Sequence, residues 1–147
     1  MMVFHELAYE GYVLTDGTGA GLTVYSDPRL MELLGSVDVL HVSGYAAPAT
    51  GTTPTLTVAI DFSNDRSYFF PLNLFVPVIN NVSLSTSSET LFQGVNDNPE
   101  LAHLAYGRLG IFMTGTDARA FVRIWVTGRD LSRRAAGSRA MRSLSLA

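Results

Sequence analysis

His5-Glu6 opens like the first half of a zinc-binding helix, in which two imidazoles four residues apart share one face and hold the metal. The second histidine would fall at position 9, where Tyr9 stands, so the spacing excludes the motif. His41 lies in an alternating run and His103 in a short helical one, with no ligand type at a matching offset; all three histidines read as structural or surface imidazoles. Gly17, Gly19 and Gly21 have the density of a phosphate loop, but no Lys-Ser or Lys-Thr follows, and TDGTGAG reads as a hairpin turn. Asp61, Asn64 and Asp65 offer oxygen ligands suited to calcium without the regular spacing and bidentate glutamate of an EF-hand; a strand end followed by an Asn-Asp turn accounts for them. Serines abound, yet no Gly-x-Ser-x-Gly elbow presents one as a nucleophile. The absence of cysteine removes thiol nucleophiles, disulfides and thiolate metal sites together. No catalytic residue, metal or cofactor is expected, and the chain reads as non-enzymatic. Asn81-Val82-Ser83 is a formal glycosylation sequon, taken as chance because Glu6 and Glu10 interrupt any secretory signal at the start.

Three stretches read better as contact surfaces. In ARAFVRIWVT, Phe121 and Trp125 alternate with Arg119 and Arg123, the residue types that the centres of protein interfaces favour. The same row would also suit packing under a loop of its own domain. YFFPLNLFVPVI, from Tyr68 to Ile79 and including Phe70 and Phe75, is apolar on both faces, which suits either a subunit contact or burial in the core. It is too short and too interrupted by Pro71, Asn73 and Pro77 to cross a membrane. LSRRAAGSRAMRSLSLA, with Arg133, Arg134, Arg139 and Arg142, has the composition of an arm that orders on a partner. Residues 1–128 hold five Arg against twelve Asp and Glu, a net −7, whereas residues 129–147 hold five Arg against Asp130 alone, a net +4. The arm therefore suits an acidic groove on a neighbouring copy or a nucleic-acid backbone, and the lack of a basic stripe elsewhere favours the protein groove.

The elements that must position these residues are strands. TLTVAIDF places Leu56, Val58, Ile60 and Phe62 on one face and Thr55, Thr57, Ala59 and Asp61 on the other; from Ala118, Ala120, Val122, Ile124 and Val126 alternate with the Arg-aromatic row. Further strands are expected at 11–14, 22–25, 37–45, 68–72, 75–84 and 108–114. Asp27-Pro28 before RLMELL and Gly35, and Asn98-Pro99-Glu100 before LAHLAY and Gly107, carry helix punctuation. Thr15–Gly21 and Ala46–Pro54 read as loops. About eight strands with helical patterning confined to two brief pieces predict a mainly β fold: an antiparallel β-sandwich, jelly-roll-like, over residues 1–130, followed by the basic arm at 131–147. At 147 residues, one core is expected, and with 47% hydrophobic but only 16% charged residues some apolar surface should be shared with partners.

Thr55–Phe69 (TLTVAIDFSNDRSYF) and Ala118–Asp130 (ARAFVRIWVTGRD), in this order with an apolar stretch between, resemble blocks of small β-sandwich structural proteins of tailed bacteriophages, the head-decoration, minor-capsid or tail proteins. The resemblance covers about half the chain. It implies a virion location after synthesis in the host cytoplasm, a role without catalysis, many copies per particle, and copies of itself, the major capsid protein or other virion proteins as partners. The strand and Ser-Asn-Asp turn are also similar to discoidin-like and other carbohydrate-binding jelly rolls, which implies a glycan as the alternative partner. In those modules Gly and then Trp follow the turn; here Arg66 and Tyr68 do.

Overall fold

The computed structural model describes residues 3–15, 22–37, 39–69, 77–96 and 105–129. Seven strands appear among them: β1 (Val3–Leu14), β2 (Val24–Tyr25), β3 (Val39–Ala46), β4 (Thr50–Ser63), β5 (Pro77–Ser83), β6 (Thr90–Asn96) and β7 (Tyr106–Arg129). All pairings are antiparallel, in the order β5-β4-β7-β3-β6, with β1 and β2 also laid on β7.

The fold turns on the length of β7. Its first half pairs with β2 and β4, as in Val24 opposite Ile111 and Val58 opposite Ile111, while its second half pairs with β1 and β3, as in Leu7 opposite Trp125 and Ser43 opposite Trp125. One ladder thus folds over into two layers, β2-β7-β4-β5 and β1-β7-β3-β6, with a single core between them. Inward residues of β7 are odd-numbered before the fold (Leu109, Ile111, Met113) and even-numbered after it (Ala118 to Val126), all buried. The phase change at residues 115–117 keeps the apolar side inward as the strand turns, the action of a bulge. Gly115 sits at φ +129° and Asp117 at +49°, and a Cβ on Gly115 would lie 2.8 Å from the Thr52 carbonyl oxygen of the adjoining strand. Only glycine meets both the backbone angle and the close approach there.

The Asp27-Pro28 signal is realised as a 3-10 turn, Pro28–Leu30, leading into α1 (Met31–Gly35). Asp27 Oδ1 accepts from the Arg29 amide at 3.0 Å, and Leu30 and Leu34 bury themselves against the core. The expected 98–107 helix lies outside the described residues apart from its last three, of which Tyr106 and Gly107 belong to β7.

The mainly β, jelly-roll-like class is what the chain adopts, and five local readings need correction. Residues 50–54 are not loop but the start of β4, because they pair across the corner of β7, Thr50 opposite Arg119 and Thr52 opposite Thr116. The strand expected at 11–14 begins at Val3, and those expected at 108–114 and from 118 are one strand. β6 was not expected at all. Thr57, Ala59 and Asp61, expected on an outer face of β4, are buried along with Leu56, Val58 and Ile60.

Candidate functional site

The outer face of the second layer is built in rows by register. Tyr12 of β1 stands opposite Phe121 of β7; Glu10, Arg123, Tyr45 and Leu91 form the next row; Leu7, Trp125, Ser43 and Gln93 the next; His5, Thr127, His41 and Val95 the one after. Directly opposed residues of antiparallel strands share a face, so the Arg-aromatic row of β7 becomes the spine of a four-strand surface. Among the described residues, eight large apolar side chains are exposed, and five of them lie here: Leu7, Tyr12, Leu14, Leu91 (77%) and Val95. An apolar cluster of this kind on one face is a mark of contact with something else.

The charges on this face are held in place. Arg123 donates to Glu10 Oε1 at 3.0 Å, and its guanidinium lies 5.8 Å and 5.9 Å from the Tyr45 and Trp125 ring centres. Its Nε is buried without an acceptor among the described residues. Arg119 stacks 4.0 Å over Tyr12, whose ring meets Phe121 edge-on at 5.4 Å. Tyr45 and Trp125 are 6.4 Å apart and tilted by 37° beside a shallow depression of about 480 Å³ that Ser43, Leu91 and Gln93 also line. His5 Nδ1 contacts Thr127 Oγ1 at 2.7 Å and His41 Nε2 contacts Gln93 Oε1 at 3.2 Å, so both imidazoles take part in the surface hydrogen bonding of this face.

The outer side of the first layer is the reverse. Asp61, 3% exposed, accepts from Arg108 Nε at 3.2 Å, and the guanidinium of Arg108 is clamped between the rings of Tyr25 and Phe69, each 3.8 Å away. Burial pushes the Asp61 carboxyl above its ordinary value, against the pull of the Arg108 hydrogen bond and charge, and its Oδ1 has no hydrogen-bond partner among the described residues. Thr57 Oγ1 donates to Asn81 Oδ1 and accepts from the Asn81 amide, both at 3.1 Å. Asp65, weighed as a cation ligand, uses Oδ1 on the Tyr68 and Ser67 amides at 2.8 and 2.9 Å, which hold its carboxyl below the ordinary range. These groups serve the fold from within.

Of the interface candidates read from the sequence, Phe121, Arg123 and Trp125 come together on the one outward face. Phe70, Phe75, Arg133, Arg134, Arg139 and Arg142 lie outside the described residues, as do His103, the glycine-rich turn at 16–21 and the arm at 131–147. Tyr12, Tyr45, Leu91, Gln93 and Val95 were not singled out. Tyr45 was reachable, since alternation along HVSGYA puts His41, Ser43 and Tyr45 on one side; the three from β6 were not, because the strand itself went unread.

No family model and no curated protein matches the chain. Solved structures do match in fold. A chain of the infectious bursal disease virus Gx strain covers 86% of this chain at 13% identity with a TM-score of 0.55, and a chain of the T13 particle of the same virus covers 87% at 15% identity with 0.51. A Clostridium thermocellum xylanase 10B chain holding CBM22-1 and GH10 modules, complexed with xylohexaose, covers 88% at 14% identity with 0.56. These likenesses establish the fold class alone, a mainly β jelly roll shared with those virus and xylanase chains. The chain spans about a third of the length of the two virus chains and a quarter of the xylanase chain, matching 32%, 31% and 25% of them respectively.

Proposed function

We propose that the chain is a non-enzymatic structural protein of a virus particle, held in place by protein–protein contacts through the outer face of its second layer. The observation that carries this is the gathering, on one sheet face, of five of the eight exposed large apolar residues among those described, with Phe121, Trp125 and two arginines. The partners suited to such a face are further copies of the chain and the shell protein of a tailed-phage head or tail, and roughly 1,600 Å² of mutual burial makes a specific contact. Support comes from the fold shared with chains of a virus particle and from the phage-like blocks at Thr55–Phe69 and Ala118–Asp130. The test is incorporation: Tyr12→Glu with Leu91→Glu should leave the thermal midpoint of the isolated chain unchanged and remove it from purified particles. Normal incorporation of the doubly substituted chain would overturn the assignment of this face.

A second reading, a carbohydrate-binding module, is favoured by the pair of rings at the Trp125 depression and by the fold shared with a xylanase chain solved with xylohexaose. Retention of the chain on an insoluble or immobilised glycan is its first requirement.

A further inference from the structure

We infer that the depression between β3, β6 and β7 is a subsite for a neutral oligosaccharide, with the Trp125 ring as its apolar platform and Ser43 and Gln93 as its hydrogen-bonding rim. This rests on the carbohydrate reading above and adds to it the residues and the charge class of the ligand.

Trp125, Ser43 and Gln93 occupy one row on three neighbouring strands. Strands lie about 4.8 Å apart, so this row spans about 10 Å, room for two six-membered sugar rings in file. A pyranose has an apolar face of C–H groups and a rim of hydroxyls. It therefore asks for an aromatic surface flanked by groups that both donate and accept, which is what the row supplies. Tyr45, tilted 37° to Trp125 in the next row, widens the platform. Gln93 Oε1 is engaged by His41 at 3.2 Å, which orients the carboxamide and leaves its two N–H donors for a ligand.

Among the described residues, the lining contains no Asp, Glu, Lys, Arg or His. Arg123, whose guanidinium lies 5.9 Å from the Trp125 ring centre, is neutralised by Glu10 at 3.0 Å. An anionic ligand therefore finds no uncompensated positive charge at this spot, and a cationic one finds no carboxylate. A site of about 480 Å³ with apolar and uncharged polar walls favours a neutral, hydroxyl-rich ligand.

Trp125 is the chain's single tryptophan, so its emission reports on this site alone. Full-length protein titrated with soluble xylan, β-glucan, mannan and starch, with alginate as the charged control, should give a saturable fluorescence change with at least one neutral polymer. Calorimetry on the same polymer should show binding weakened roughly tenfold or more in Trp125→Ala and in Gln93→Ala, the scale of a central contact. Gln93→Ala, on a surface position, keeps the test open if Trp125→Ala fails to fold. Calorimetric binding that leaves the emission and both variants unaffected would overturn the subsite while the carbohydrate reading stands. Binding to alginate alone would overturn the neutral ligand, and no binding to any polymer would remove the subsite and the reading together.

Discussion

The outer sides of the two layers invert the usual rule for a sandwich. On the first, polar and charged residues (Thr57, Asp61, Ser63) are buried and find their partners within the chain. On the second, apolar residues stand exposed and the arginines among them are already steadied by rings and by Glu10. A buried polar group must be matched by its own fold or it destabilises the fold, whereas an exposed apolar group has little effect on the lone chain and gains by being covered. The first layer is therefore where stability is sensitive to polar substitution, and the second is where association is.

That contrast can be broken most sharply at Arg108. Arg108→Ala leaves Asp61 buried and uncompensated and should lower folding stability by about 3 kcal/mol in chemical denaturation, whereas Arg123→Ala on the open face should lose less than about 1 kcal/mol. Equal losses would erase the distinction between the layers. Next in size is Gly94, whose Cβ would sit 2.1 Å from the Val78 carbonyl oxygen. Gly94→Ala should cost about 2 kcal/mol through forced separation of β5 and β6. Its neighbour on the opposite side of the same strand supplies the counterpart: Leu91→Ser should change stability by no more than about 0.5 kcal/mol while weakening association, and a large stability loss there would place Leu91 in the core.

The smallest effect is the pH dependence of the Asp61 site. Burial raises its folded value above the ordinary 3.8, so the contribution of this carboxyl is present in full below that value and is lost as the pH rises through the raised one. The stability of the natural chain relative to Asp61→Asn should therefore grow on acidification from about pH 7 to about pH 4. Asp27 and Asp65 have lowered values and act with the opposite sign, losing their contribution as the pH falls; comparison of the two chains cancels them. A relative stability that shrinks on acidification would show that the attraction of Arg108 outweighs the burial of Asp61.

How much of this was legible follows from where the apolar residues point. β3 and most of β4 and β7 announce themselves through alternation with the apolar set inward, β5 through a short apolar run, and α1 through its Asp-Pro cap and closing glycine. β6 hid because its pattern is mixed: Leu91 and Val95 face solvent, while of its inward residues Phe92 is apolar and Gly94 carries no apolar signal. The strand that brings Leu91, Gln93 and Val95 to the candidate face was unreadable for the same reason that it belongs to that face. The outer side of β4 was misread in the complementary way, since Thr57 and Asp61 look like solvent-facing residues and are enclosed by Asn81, Arg108, Tyr25 and Phe69.

Composition and period determined the class of this protein: too few charges and too many short alternating runs for anything but a sheet protein with one core. The phase change in β7, from odd to even inward positions across residues 115–117, was also present in the order of residues, although it takes the paired corner at Thr50 and Thr52 to show that it marks one folded strand and not two. What only the tertiary structure decided is which residues far apart in the chain share a row. Trp125 meets Ser43 and Gln93, and Arg108 sits between Tyr25 and Phe69, because hydrogen-bond register joins strands across dozens of residues, and alternation within one strand carries no information about which strand lies beside it.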